Sequence, residues 1–306
     1  MEERTFVITG ATGNIGHALA EKLLAGGHKV RALARSAERL KPLADKGAEP
    51  FIRELEDADF LTRAFRGAKA VFAMIPPNPT APDWRAYQNR ISESLASATR
   101  QARVAHVVTL SSIGAHLPVG TGPIAGLYDN EQRFDRLEGV NVLHVRPTFF
   151  MENLLSGIDI IKNMGVNGSP QAPELPMPMI ATKDIAACIA PVLERADFEG
   201  KSVLELLGNS DVTMVEATRT LGEAIGKPDL RYVQFPYADT QQALLGMGLS
   251  QSVADSYIEM YRGFNEGTVR PTEERSPANT TPTTLEEFAR EVFAPAYQRG
   301  GAAAFA

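Results

Sequence analysis

The chain of 306 residues has a single cysteine, Cys188, so it can close no internal disulfide. Cys188 lies in the apolar helical pattern "DIAACIAPVL" and reads as a core residue rather than a nucleophile. A reduced, cytoplasmic setting is the default expectation. The chain also lacks positive charge in excess. A net charge of -6 and a pI near 5.5 argue against a nucleic-acid partner or an anionic membrane surface, since both want a basic face. No apolar run is long enough to span a bilayer, and no basic stretch leads into an apolar one near the start. Neither a membrane span nor a signal peptide is therefore expected. The five histidines show no ligand spacing with carboxylates or with Cys188, so no metal is expected. There is no Gly-x-x-x-x-Gly-Lys loop for nucleotide hydrolysis and no Gly-x-Ser-x-Gly elbow for acyl transfer.

What is present is alternation. "TFVIT", "KVRALAR", "AEPFIRE", "AVFAMIPP", "AHVVTLSS" and "VNVLHVRP" read as six strands, each separated from the next by a helical pattern. Ile15, Leu19 and Leu23 recur every four residues, and Gly26–Gly27 stop that helix; Ser36 is a candidate N-cap and Gly47 a stop for the next. Strand–helix alternation implies parallel pairing with right-handed crossovers. The predicted fold class is α/β, a doubly wound parallel sheet over residues 1–150. Residues 151–306 are expected to form a smaller α+β lobe interleaved with the sheet. In that lobe "KSVLELLG" and "LRYVQFP" read as strands and "TTLEEFAREVFAPAY" as one helix with a Thr284–Glu287 capping box. "LPMPMI" suits a loop over an apolar pocket, residues 270–283 read as a surface linker, and "RGGAAAFA" as a frayed tail.

"TGATGNIG" carries Gly10, Gly13 and Gly16 between the first strand and the first helix. The first glycine allows the tight turn, the second lets backbone approach a pyrophosphate, and the third brings helix close to strand. Free N–H groups at the helix start then face phosphate. Thr12, Asn14 and Ile15 complete the set of turn positions expected to bind cofactor. The second strand ends "LARS", with Arg35 and Ser36 and no carboxylate. A carboxylate there selects a ribose 2′-hydroxyl and an arginine a 2′-phosphate, so NADP(H) is expected over NAD(H).

The Gly-x-x-Gly-x-x-Gly spacing, with "AVFAMIPP", "VVTLSSIGA" and "VLHVRPTFFMENLL" following in order, resembles the atypical short-chain dehydrogenase/reductases. More narrowly the chain resembles the NmrA-like family and the related type 2 quinone oxidoreductases. The resemblance covers roughly the first half and implies a Rossmann nucleotide-binding sheet. It also implies that Glu54 meets the adenine, that Ile75 contacts cofactor at its strand end with Pro76 and Pro77 walling the ribose, and that Pro147, Thr148, Phe149 and Phe150 line the nicotinamide. In the wider superfamily a Tyr donates the proton, a Lys four residues on lowers its pKa, and a Ser at the fifth strand orients the substrate. This chain offers Tyr128, Ser111 and Ser112 for those roles, but Gln132 stands where Lys is expected. An amide can bond ribose hydroxyls and brings no charge. Asp129 and Glu131 nearby are expected to raise the Tyr128 pKa, and Arg133 to point about 100° away. Two readings follow. One is an NADPH-dependent reductase of a quinone-like or other small organic acceptor, which can take protons from water. The other is an NADP(H) sensor without chemistry that binds a partner protein according to cofactor occupancy.

Overall fold

The structure, a computed structural model, describes residues 3–300. Most of the tail expected to fray, 301–306, lies outside the described residues. In chain order the first half runs β1 (Thr5–Thr9), α1 (Asn14–Ala25), β2 (Lys29–Ala34), α2 (Ala37–Ala44), β3 (Glu49–Ile52), α3 (Ala58–Phe65), β4 (Ala70–Ala73), α4 (Trp84–Gln101), β5 (His106–Leu110), α5 (Ala125–Asp135) and β6 (Asn141–Pro147). Local chemistry sets these bounds. Ser36, Asp57 and Asp83 each accept a first-turn N–H at the starts of α2, α3 and α4. Gly27 and Gly47 take positive φ where the chain leaves α1 and α2.

The second half adds β7 (Phe149–Phe150), α6 (Ile158–Met164), β8 (Val166–Ser169), β9 (Met177–Ile180), α7 (Thr182–Arg195), β10 (Lys201–Leu206), β11 (Ser210–Val212), α8 (Met214–Ala224), β12 (Arg231–Gln234), α9 (Tyr237–Gly246), α10 (Gln251–Asn265), α11 (Leu285–Phe288) and α12 (Ala294–Arg299). The main sheet has seven parallel strands in the order β10-β6-β5-β4-β1-β2-β3. Its last strand comes from beyond residue 150, so the two halves of the sequence share one sheet. One face is covered by α1, α2 and α7, whose Leu19, Leu40 and Ile189 are buried with Ile8 and Phe72. The other is covered by α3, α4 and α5, with Phe65, Ile91 and Phe134 packed on Val7 and Val107. Burial on both faces explains why β4 is wholly apolar. A third core lies in the lobe, around Met179, Leu221, Phe288 and Phe293. No helix among the described residues is long and apolar enough to cross a membrane.

Two expectations for the lobe change. "LPMPMI" is no loop: Met177–Ile180 is the buried central strand of a three-stranded sheet, β11-β9-β7. The C-terminal helix runs unbroken from Leu285 to Arg299 as expected, with a π turn over Ala289–Phe293 joining α11 to α12. Pro295 has no N–H to return to residue 291, and the widened turn absorbs that missing bond. Its capping box of Thr284 and Glu287 is present. Residues 270–283 are a strap rather than a loose linker. Thr272 and the Glu273 N–H donate to the fully buried Glu205 carboxylate on β10, and Thr283 donates to Asp184 on α7.

Candidate active site

The strand order reverses between β1 and β4, which opens a crevice at the carboxyl edge of the sheet. Thr9 holds the two strands together there. Its hydroxyl donates to the Phe72 carbonyl at 3.2 Å and accepts the Met74 N–H at 2.8 Å. The glycine turn follows. Gly10 has φ +63°, and the Gly13 N–H closes onto the Gly10 carbonyl at 3.0 Å. A Cβ on Gly16 would stand 2.3 Å from that same carbonyl oxygen, so the close approach of α1 to β1 excludes any side chain. Gly13 is different. Its φ is -87°, and a Cβ there would meet only ordinary contact, 3.5 Å from Gly10. The fold itself does not require glycine at 13. Nor does any side chain cap the start of α1, and no acid stands in its first turn. Unfilled space and free N–H groups at a helix start are what an anion needs.

Arg35 is exposed at the end of β2, and Ser36 accepts the Arg39 N–H while capping α2. Sequence reasoning missed Arg39. Its guanidinium donates to the Thr12 carbonyl at 3.2 Å, so a second cation reaches the glycine turn. Glu54 is exposed just past β3. The Tyr87 hydroxyl donates to the Pro76 carbonyl at 3.0 Å. Burial pushes that phenol up to about 12, while nearby Arg35 pulls it down and Glu54 and Glu56 push it up. Arg35, Glu54, Tyr87 and Pro76 thus share one neighbourhood. Ser250, the N-cap of α10, bonds the Pro79 and Ala81 carbonyls and fixes the same wall from the lobe.

On α5 the helix rotation matters. The buried face carries Gly126, Asn130, Glu131 and Phe134. Glu131 takes a two-pronged ion pair from Arg146 of β6 and a hydrogen bond from the Ser111 hydroxyl. All three residues are under 9% exposed, so the charge pair is sealed. Ser111 therefore turns its hydroxyl into this internal network, while Ser112 is half-buried one residue further on. Tyr128 and Gln132 sit a residue off that face. They line an outer groove of about 670 Å³ against α4, with Asn89, Glu93 and Arg100. The α5 side chain that reaches Ser111 is Glu131 rather than Tyr128 or Gln132. The two acids beside Tyr128 are also not the free charges expected. Arg85 grips Asp129 in a two-pronged pair and holds its carboxyl below the usual range, and Arg146 neutralises Glu131. Arg133 does not point away from the outer groove as expected: it lines it with Tyr128 and Gln132 and is held by Asn89, Ser92 and Glu93 on α4.

Pro147 at the end of β6 and Thr148 just past it are buried, and the Thr148 N–H donates to the Leu206 carbonyl at 3.1 Å. The Thr148 hydroxyl is sealed from solvent yet has no hydrogen-bond partner. Phe149 and Phe150 are half-buried as β7, and both pack on core residues. Glu152 then closes the start of α7 by accepting the Thr182 N–H and hydroxyl, and burial raises its carboxyl.

A model of the NmrA-like family matches residues 2–289. Among characterised proteins, the NAD(P)H azoreductase of Xenophilus azovorans is 30% identical over 257 residues, 83% of this chain and 85% of that protein. Quinone oxidoreductase 2 of Escherichia coli is 27% identical over 265 residues, 85% of this chain and 88% of that one. The E. coli NADPH-dependent quinone oxidoreductase, solved with NADPH, superposes with a TM-score of 0.78 at 24% identity, covering 94% of this chain and 99% of that one. NmrA, a negative transcriptional regulator solved with NADP, gives 0.76 at 19% identity over the whole of both chains. Sheet order, glycine turn and family match agree: this chain belongs to the NmrA-like family.

Proposed function

We propose that this protein binds NAD(P)H in the crevice between β1 and β4, prefers NADP(H) over NAD(H), and reduces a small organic acceptor of the quinone type. The observation that carries the reading is the cradle at Gly13: an uncapped helix start, a glycine the fold does not itself demand, and two guanidinium groups with no carboxylate at the end of β2. The residues present fit such a cofactor. N–H groups at the start of α1 would receive the pyrophosphate. Arg35 and Arg39 would fork onto a 2′-phosphate. The orphan hydroxyl of Thr148 would gain the partner it lacks from a nicotinamide amide. When bound, the cofactor supplies a hydride. The chain's own share is to position the two reactants and to keep water from the crevice, and α10 roofs it from the lobe side. The azoreductase and quinone oxidoreductase relatives support the reaction class. The absence of Tyr128 from the cleft-facing side of α5 fits an acceptor that takes protons from water.

The test is NADPH oxidation across a panel of quinones, azo dyes and aldehydes. Turnover of quinones or azo dyes is expected. Arg35→Ala should weaken NADPH binding about 10- to 100-fold, the value of one charge-assisted hydrogen bond, and leave NADH binding nearly unchanged. Equal losses for both cofactors would refute the NADP(H) preference. The sensing reading keeps one supporting observation, the off-axis Tyr128 and Gln132. Tight NADPH binding with no acceptor turned over would favour it.

A further inference from the structure

Helix α10 spans the carboxyl edges of β4 and β5. Its Ser250 cap holds the loop after β4. Gly122, in the loop after β5, abuts the Ser256 backbone so closely that a Cβ would lie 2.0 Å from its carbonyl oxygen. At the far end Val269 packs between Gly114 and Gly263. Ligands of open α/β sheets lie at this edge, so α10 is the roof of the crevice.

Along one face of α10, Tyr257, Tyr261 and Asn265 recur every four residues. Tyr257 stands against Pro77 and Pro79, just past β4. Asn265 is fully engaged: it accepts the Ala172 N–H at 2.8 Å and donates to the Pro170 carbonyl at 2.9 Å and the Tyr237 hydroxyl at 2.7 Å. The Tyr232 hydroxyl is engaged too, on Ser169 and Gln171. Tyr261 lies among these residues with its hydroxyl uncommitted. Tyr261 is half-buried, none of the hydrogen bonds among the described residues uses its hydroxyl, and its oxygen is not one of the sealed polar atoms. Burial, with Tyr257 and Tyr232 beside it, pushes this phenol up, so it stays protonated at neutral pH. A phenol set among packed side chains and wetted only at its tip can exchange that water for the oxygen or nitrogen of a ligand.

We propose that Tyr261 is the hydrogen-bond donor to the electron acceptor, meeting the oxygen or nitrogen on which negative charge grows as hydride arrives. This rests on the reductase reading above. The acceptor gains a hydride from NAD(P)H, which leaves as NAD(P)+. Water supplies the proton that completes reduction, and Tyr261 keeps its own.

Tyr261→Phe tests this with menadione as the probe. The expected result is a fall in kcat/KM of about 100-fold, carried by kcat, because the donor acts on charge that develops in the transition state. Menadione binding to the NADP+-loaded protein should weaken only about fivefold, as for one neutral hydrogen bond. NADPH affinity and melting temperature should not change. Unchanged kcat/KM overturns the proposal, and so does a joint loss of NADPH affinity and melting temperature, which marks a structural role. If the wild-type protein turns over none of the acceptors, the reductase reading fails and this inference fails with it; if it turns over menadione and Tyr261→Phe does so equally well, only this inference fails.

Discussion

The turn after β1 and the first turns of α5 both carry motifs at the edge of one sheet, and only the turn keeps the geometry its spacing implies. Gly10, Gly13 and Gly16 work through backbone. Positive φ, a missing Cβ and free N–H groups belong to those residues wherever the helix points. Tyr128 and Gln132 would work through side chains, and a side chain's direction depends on how the helix is rotated against the sheet. One residue of offset is about 100°. Here that offset places Glu131 inward on Arg146 and leaves Tyr128 and Gln132 on the groove with α4.

The largest expected effect breaks the α5 side of this contrast. Glu131→Ala should cost about 3–5 kcal/mol of stability, because Arg146 is left charged and unpaired in a sealed site. Urea denaturation measures it. Gln132→Ala, one residue away, should stay within about 0.5 kcal/mol of wild type. If the two variants are alike, the helix is rotated otherwise than described.

The next pair sharpens the turn itself. Gly16→Ala forces a methyl onto the Gly10 carbonyl, and overpacking of this kind costs about 1–3 kcal/mol. Gly13→Ala meets no such clash and should lose at most about 1 kcal/mol as a poorer N-cap. Its NADPH affinity should nonetheless fall about tenfold or more, since the methyl occupies the space of the ligand. Thermal melts with and without NADPH separate the two. A Gly13→Ala protein that binds NADPH normally would remove the main support for the cradle.

What could be read from sequence divides along the same line. The six strands of the first half, the Thr284–Glu287 capping box and end-of-strand residues such as Arg35 follow from local rules and from alternation. Arg39 was hidden because its role depends on α2 folding back over Thr12. The Ser111–Glu131–Arg146 network was hidden because it joins three elements, and no spacing in the chain announces it. The strap at 270–283 looked like a linker because its composition is polar, yet its polar groups are the ones that satisfy buried Glu205 and Asp184. Arg39→Ala probes the long-range part of the adenosine end. It should weaken NADPH about tenfold, less than Arg35→Ala when Arg35 bears the closer charge, and titration with NADH should show little change.

The smallest expected effect decides most about the chemistry. A Tyr that donates the proton in the rate-determining step is worth about 10²–10⁴-fold in rate. Tyr128 sits on the outer groove, beside an Asp129 already paired with Arg85, and its helix neighbour Gln132 faces the same way. Tyr128→Phe should therefore change kcat/KM for quinones and azo dyes by less than about twofold, and stability by less than about 0.5 kcal/mol. Steady-state kinetics on one acceptor suffices. A hundredfold loss would mean that α5 turns its Tyr inward when cofactor binds, and Ser111 would then have to leave Glu131 to join it.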